Sequence, residues 1–272
     1  MTAMQVRPEP HETRPHVCLR MEGGLATIVL DRPEKNNAID LAMAEQFAAA
    51  VSQVVACPGI RALLIRAEGR NFCVGGDIAI FAEAPGASVG ISRLAARLHE
   101  VVSSLRSAGF PVVVAVQGAA AGIGLSLAAC ADIVLAGRSA VFVMAYSAIG
   151  LTPDGGATWM LPRLIGLRRT QILALTNRRL SAAEAEDWGL ISEVCDDDVL
   201  TARAEAMARN LAAGPTSSFG RLKYLLRAAD ASPLEAHLDR ETQEIGCALD
   251  RADGVEGVAA YLQRRQAVFP GV

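Results

Sequence analysis

One carboxylate in the chain stands where its residue type and surroundings suggest acid–base chemistry. Asp154 follows Pro153 and precedes Gly155 and Gly156, in a turn with apolar sequence on both sides. A lone charge among apolar residues is costly unless a partner or a reaction uses it. Taken alone, Asp154 is equally compatible with capping a helix that begins near Gly156, because Asp is a good N-cap residue. Proton transfer and helix capping are therefore both open for this acid.

Two loops upstream of Asp154 combine glycines with other small residues. They read NFCVGGD at 71–77 and VQGAAAGIGLS at 116–126, and each follows an apolar strand pattern. Glycine lets a ligand approach the backbone closely, and a helix N-terminus carries free N–H donors that can stabilise an oxyanion. Taken alone, the first loop is better explained by an ordinary strand-to-helix turn, and tight helix–strand packing would also explain the second. Asp77 would then simply cap the following helix.

Spacing argues against several other kinds of site. The second loop lacks the third glycine of a G-x-G-x-x-G dinucleotide fingerprint, and Ser126 is flanked by leucines instead of the glycines of a nucleophile elbow. The six cysteines form no C-x-x-C pair. The four histidines all lie outside these loops, at His11, His16, His99 and His237. We therefore expect no metal site and no catalytic triad.

Composition describes a globular chain of 272 residues, of which 51% are hydrophobic and 20% charged. The net charge of −3 argues against nucleic acid as the main partner, since phosphate binding favours a basic face. The sequence contains neither an apolar run of membrane-spanning length nor a signal-peptide pattern. Residues 1–15 are rich in proline and charge and predict a disordered tail. A cytoplasmic protein is expected.

The order of strand and helix patterns predicts an α/β fold. A hairpin over 18–30 turns at Gly23-Gly24, Asp40 caps a helix, and apolar strands at 62–66 and 112–116 alternate with helical patterns. From about Gly156 onward nearly all the patterns are helical, with a break near 196–198. The chain thus reads as an α/β body followed by a helical C-terminal part.

Several motifs in one order make the chain resemble the enoyl-CoA hydratase/isomerase (crotonase) superfamily over about residues 16–270. The matching stretches are LDRPEKNNAID at 30–40, NFCVGGDI at 71–78, VQGAAAGIGLSLAACADIVLAG at 116–137, IGLTPDGGATWMLPRLIG at 149–166, LSAAEAEDWGLISEV at 180–194 and EGVAAYLQRR at 256–265. The resemblance implies a crotonase-like ββα spiral core at 16–197. It also implies a C-terminal helical region at 198–272 that builds a homotrimer or a dimer of trimers.

The resemblance further implies an acyl-CoA thioester substrate and stabilisation of a thioester enolate. The two oxyanion-holding N–H groups would belong to Gly76 and Ile123. The second position is usually glycine, so the Ile123 side chain is expected to narrow or redirect the pocket. No cofactor is expected, because coenzyme A is part of the substrate. Other positions implied to bind substrate are Lys35, Asn37, Ala38, Ile39, Cys73, Gly75, Asp77, Ile78, Gly122, Ser126, Tyr146 and Ile149. Pocket walls are expected around Phe81 and Phe142.

The chain departs from typical hydratases of the superfamily at two positions. Ser126 and Tyr146 stand where those enzymes carry glutamates. Loss of positioned acid–base groups typically costs about 10²–10⁴-fold, so the usual hydration mechanism is disfavoured. Asp154 stands where isomerases of the superfamily often carry an acid–base aspartate. The segment around it is similar to that of the ring-epoxide isomerases of phenylacetyl-CoA breakdown.

The sequence therefore predicts an acyl-CoA isomerase in which Asp154 moves the proton. One alternative is an enoyl-CoA hydratase of fatty-acid or aromatic-acid breakdown that holds water between Asp154 and Tyr146. A second is a non-catalytic acyl-CoA-binding protein. Thioester hydrolysis and dehalogenation with Asp154 as the nucleophile also remain open.

Overall fold

The computed structural model describes residues 14–80 and 86–272. Its strands are β1 Val17–Glu22, β2 Leu25–Leu30, β3 Ala62–Ala67, β4 Val112–Val116, β5 Ala119–Ala121, β6 Ile133–Gly137, β7 Val141–Val143, β8 Leu180–Ser181 and β9 Glu193–Cys195. Its helices are α1 Leu41–Ala56, α2 Ala87–Ser107, α3 Ile123–Ala129, α4 Ala157–Ile165, α5 Leu167–Thr176, α6 Ala182–Asp187, α7 Leu200–Ala212, α8 Thr216–Ala229, α9 Leu234–Leu249 and α10 Ala252–Leu262. Residues 1–13 of the predicted tail lie outside the described residues, as does Phe81, which was predicted to lie in a pocket wall.

Two sheets form the body of the fold. The larger has the order β1-β2-β3-β4-β6-β9, in which β1 and β2 are the predicted antiparallel hairpin and every other pair is parallel. The smaller has the order β5-β7-β8. The sequence patterns missed β5, β8 and β9, because strands of two or three residues are too short to show a period.

Alternating residues of β3 face two different cores. Leu63 and Ile65 join a large apolar cluster with α1 and α2, whereas Ala62 and Leu64 join a smaller one with α7. Successive strand residues point to opposite faces, so a parallel strand covered on both faces is apolar throughout, as VVVAV in β4 is. The central sheet therefore lies between helices, and its loops are held on a rigid base.

Helix α7 belongs to this core by its packing. The predicted boundary at 197/198 places it in the C-terminal region, yet Leu200, Ala204 and Ala208 are buried against the sheet. Their spacing of four residues puts them on one helix face. The two helices with the fewest buried residues follow α7, since α8 buries Thr216 alone among its described residues and α9 buries none. The assignment of the C-terminal region to oligomerisation stays a prediction.

The helix caps show how local sequence sets element boundaries. Asp40 caps α1 as predicted, since its Oδ1 accepts a hydrogen bond from the Met43 N–H at 2.8 Å.

Within 14–80 and 86–272, each helix is too short or too polar to cross a bilayer.

Candidate active site

Backbone hydrogen bonds join the two glycine-containing loops, at 71–77 and 116–126. Cys73 and Ala120 form a parallel bridge, in which the Cys73 N–H donates to the Ala119 carbonyl at 3.1 Å and the Ala121 N–H donates to the Cys73 carbonyl at 2.9 Å. Ile39 pairs in the same way with Gly76. The loops that the sequence placed after separate strands therefore converge at one end of the sheet.

Glycine is required where these loops meet. A Cβ at Gly124 would lie 2.3 Å from the Cys73 carbonyl oxygen, closer than any real contact. Gly75 and Gly122 have φ values of 117° and 54°, which side chains rarely adopt. A Cβ built on Gly122 would lie 3.6 Å from the Gly75 Cα. The close approach brings the amides that follow these two glycines to one place.

Those following amides belong to Gly76 and Ile123, the two predicted oxyanion donors. Neither N–H donates a hydrogen bond to any acceptor in the part of the chain that the structure describes. Ile123 is the first residue of α3, where the N–H has no partner within the helix. Both residues line the same cavity. The two N–H groups are therefore available to donate hydrogen bonds to a carbonyl oxygen that enters the cavity.

Asp154 does not cap α4. The N-cap of that helix is Gly156, without a side-chain cap, and the Asp154 Oδ1 instead accepts the Tyr146 hydroxyl at 2.5 Å. Among the described residues, no group donates a hydrogen bond to Oδ2. One carboxylate oxygen is thus held in place while the other is free, in a half-buried side chain that lines the cavity.

Ser126 lies behind this carboxylate and supports the turn that carries it. It is fully buried, and its hydroxyl donates to the Asp154 backbone carbonyl at 3.1 Å. A Cβ at Gly155 would lie 2.3 Å from the Ile123 Cδ1, so the Ile123 side chain packs under the same turn. The Ile123 side chain thus lines the cavity and also supports the Asp154 turn. That it narrows the pocket stays a prediction.

The Tyr146 phenol stays protonated at this site. Burial, and next to it the negative charge of Asp154, raise the pKa of Tyr146 far above its ordinary value of 10.0. The neutral phenol can donate to the carboxylate, whereas a phenolate would repel it. Tyr146 is therefore a hydrogen-bond donor and not a base at neutral pH.

The cavity holds about 580 Å³ of empty space, including its mouth. Its described walls are apolar apart from Asp154, Tyr146 and backbone. They consist of Val74, Gly75, Gly76, Ile78, Ile91, Leu94, Leu98, Gly122, Ile123, Met144, Ala145, Tyr146, Ile149, Leu151 and Asp154. Eight of the predicted site residues are brought together here, namely Gly75, Gly76, Ile78, Gly122, Ile123, Tyr146, Ile149 and Asp154. Phe142 is fully buried in the core and is not among the described lining residues.

The other predicted binding residues lie around the cavity in supporting positions. The buried Asn37 side chain accepts the Arg32 N–H and donates to two backbone carbonyls. Asp77 forms an ion pair with Arg32 at 2.9 Å, which joins two of the loops around the cavity. Cys73 is buried, with its pKa raised to about 12 by burial, and is inert. Ala38 accepts a hydrogen bond from Arg32 through its carbonyl, and Lys35 is exposed.

Comparison with known proteins shows the family of this chain. A model of the enoyl-CoA hydratase/isomerase family matches residues 20–271. The chain belongs to this family. The 1,2-epoxyphenylacetyl-CoA isomerase of Escherichia coli (strain K12) is 40% identical over 92% of the chain and 97% of its own length. A Rhodobacter capsulatus protein named "Probable enoyl-CoA hydratase" is 39% identical over 91% of the chain and 95% of its own length.

A solved structure confirms the crotonase-like fold of this family member. The crystal structure of an enoyl-CoA hydratase from Polaromonas sp. JS666 superimposes with a TM-score of 0.86 and 33% identity, over 93% of this chain and 99% of that one. The predicted family and fold are both confirmed. The named relatives include an isomerase and hydratases, so the family alone does not choose between the two reactions.

Sequence patterns missed the α2 wall of the cavity and one contact to the turn that carries Asp154. Ile91, Leu94 and Leu98 have helical spacing, which predicts a buried face but not whether a cavity or a core covers it. His99 accepts the Gly155 N–H on its Nε2 at 3.1 Å. A single histidine in a helical pattern carries no signal for that contact.

Proposed function

We propose that this protein is an acyl-CoA isomerase that moves a proton with Asp154. The observation that carries the proposal is the arrangement of one carboxylate, whose Oδ1 is held by Tyr146, beside two free amides in an apolar cavity. Among the cavity-lining residues that the structure describes, Asp154 is the single carboxylate. One such group suffices for a proton transfer between two carbons of the same substrate.

The reaction follows from the positions of these groups. The thioester oxygen accepts hydrogen bonds from the Gly76 and Ile123 N–H groups, which makes the α-proton of a 3-enoyl-CoA more acidic. Asp154 removes that proton through Oδ2, and negative charge passes to the thioester oxygen as an enolate. The same carboxyl then returns the proton to the γ-carbon, and the double bond moves to the 2-position. No atom is gained or lost.

Addition of water requires a different set of groups. One group must activate the water and another must deliver a proton to carbon, as the paired glutamates of typical hydratases do. Here Ser126 is fully buried behind the turn, and Tyr146 is a protonated donor to Asp154. The site therefore favours isomerisation over hydration.

The cavity walls favour a neutral, apolar acyl group. Apart from Asp154 and Tyr146, its described side chains are hydrocarbon or thioether, and desolvating a charged acyl group there would be costly. The 40% identical relative bears the name 1,2-epoxyphenylacetyl-CoA isomerase. We therefore include an aromatic ring epoxide beside enoyl chains as a candidate acyl group. The exposed Lys35 would meet phosphates of the CoA portion.

Competing turnover on matched substrates tests this proposal. We expect the purified enzyme to convert 3-hexenoyl-CoA to 2-hexenoyl-CoA at least about 100-fold faster than it hydrates crotonyl-CoA, because a positioned acid–base group contributes about 10²–10⁴-fold. Liquid chromatography separates 2-hexenoyl-CoA from 3-hexenoyl-CoA, which has the same mass, and mass spectrometry detects hydration by the added mass of water. Faster hydration would favour the hydratase alternative, and binding without turnover would favour a non-catalytic protein.

Replacing Tyr146 with phenylalanine is expected to lower the isomerisation rate by about ten- to a hundredfold, because a hydrogen bond to a charged group contributes about 1.5–3 kcal/mol. Burial raises the pKa of Tyr146, so the neutral donor persists above the ordinary value of 10.0. The ratio of wild-type to Y146F rates should therefore stay constant from about pH 7 to about pH 10. A ratio that collapses toward one as the pH rises would show that the phenol ionises and contradict this assignment.

We further propose that the C-terminal helices assemble the protein into a trimer or a dimer of trimers. Large apolar side chains on α8, α9 and α10 are strongly exposed, including Leu226, Ile245 and Tyr261. Such patches mark association surfaces. Light scattering should give a mass of three or six chains of 28.6 kDa, and Ile245→Glu should lower it. Val89→Glu, on the similarly exposed Val89 of α2, is the matched control, and an unchanged mass for I245E would contradict the assignment.

A further inference from the structure

The turn that carries Asp154 is held from three sides. The Tyr146 hydroxyl donates to the Asp154 side chain, and the Ser126 hydroxyl donates to its backbone carbonyl. The third contact comes from α2, where the His99 Nε2 accepts the Gly155 N–H at 3.1 Å. The first two contacts join groups already placed around the site. The third links the turn to a separate helix and has no role in the proton transfer described above.

The contact with His99 fixes the peptide that directly follows the carboxylate. Gly155 has a φ of 60°, and its backbone is packed against Ile123 and Ser126. A movement of this peptide would therefore change the orientation of the Asp154 side chain and displace its Oδ2 from the substrate carbon. The Nε2 atom accepts this hydrogen bond through its lone pair, so the contact requires an acceptor atom at this position.

Helix α2 connects this contact to the substrate cavity. Leu94 and Leu98 of the same helix are buried and line the cavity, and His99 follows Leu98 directly. His99 itself is exposed and is not among the described lining residues. It therefore touches the turn but not the acyl group, which separates a positioning role from a catalytic one.

We infer that His99 is a positioning residue, which holds the Asp154–Gly155 turn so that the carboxylate meets the reacting carbons. The inference rests on the proposed isomerase function. Displacing a reacting group by about 1 Å can cost 10²-fold in rate, so one hydrogen bond at this peptide can have a large effect on kcat. Binding of the CoA ester depends on the cavity walls and should change little.

Two variants of similar size separate the hydrogen bond from the bulk of the side chain. His99→Gln retains an acceptor, Oε1, near the position of Nε2, whereas His99→Met retains the length and loses the acceptor. We expect H99M to lower kcat for 3-hexenoyl-CoA by about ten- to a hundredfold with KM within about threefold of wild type. We expect H99Q to stay within about threefold of wild type in both constants.

Hydrogen exchange of the peptide that contains Gly155 gives a readout that needs no turnover. The Gly155 amide should exchange faster in H99M than in wild type and at the wild-type rate in H99Q, because only H99M lacks an acceptor. The inference is overturned if H99M keeps the wild-type kcat, if both variants lose activity equally, if only KM changes, or if exchange at Gly155 is unaffected. Absence of isomerisation by the wild-type enzyme would instead overturn the proposed function, and with it the base that His99 positions.

Discussion

Replacing Asp154 with asparagine is expected to reduce isomerisation of 3-hexenoyl-CoA by at least about 10³-fold, in the upper part of the range for a lost acid–base group. The amide has the shape of the carboxylate and its oxygen can still accept the Tyr146 hydroxyl, but it cannot take up a proton. The turn and the oxyanion amides are left in place. The measurement is kcat by product analysis, together with the Kd of a saturated acyl-CoA by calorimetry.

Binding provides the internal control for Asp154→Asn. Its Kd for the saturated ester should stay within about threefold of wild type, since this side chain acts on the reacting carbons only. Asp187→Asn changes an acid whose side chain is 76% exposed and should have no effect. If D154N kept an appreciable part of the wild-type kcat, another group would have to move the proton and the mechanism would fail.

Replacing Gly124 with alanine is expected to damage both stability and activity. The new Cβ would lie 2.3 Å from the Cys73 carbonyl oxygen and 2.9 Å from the Cys73 Cβ, and the carbonyl belongs to the bridge that joins the two loops. Overpacking of this kind costs about 1–3 kcal/mol. Because relief requires the loops to separate, the Gly76 and Ile123 amides should move apart. Loss of one oxyanion donor typically costs about 10²–10³ in kcat.

Thermal unfolding and kinetics measure these two effects of Gly124→Ala together. The midpoint should fall by about 2–12 °C, given about 2–4 °C for each kcal/mol in a chain of this size. Gly59→Ala is the matched control, because a Cβ at Gly59 would meet nothing within 4 Å. Wild-type kcat in a folded G124A enzyme would show that the loop contact does not position the oxyanion donors.

Local patterns predicted the parts of the fold that local chemistry decides. The Asp40 cap, the hairpin at Gly23-Gly24 and the strand at 112–116 all occur where the sequence placed them. Eight of the site residues predicted from the family motifs line one cavity. Short strands such as β9 were not predicted, because three residues are too few to show a period and the strand that pairs with β9 is distant in sequence.

Contacts between distant segments could not be read from single positions. The sequence left Asp154 open between a helix cap and a catalytic acid, because both roles suit the same residue type. The structure excludes the cap, because the N-cap of α4 is Gly156 and the Asp154 carboxylate accepts the Tyr146 hydroxyl instead. The catalytic role of Asp154 stays a proposal. The contact of His99 with Gly155 depends on how α2 packs against the turn, and the sequence pattern of α2 does not determine that packing.

Loss of a deuterium label from the α-carbon tests the central claim most directly, because it follows the proton itself. A 3-enoyl-CoA that carries deuterium at both α-positions is incubated in H₂O with wild-type or D154N enzyme, and deuterium at the α- and γ-carbons of the product is measured by NMR. We predict that the wild-type enzyme removes one α-deuterium and delivers it to the γ-carbon, without addition of water, and that D154N removes none above the uncatalysed rate. Equal loss of α-deuterium with both enzymes would contradict Asp154 as the group that moves the proton.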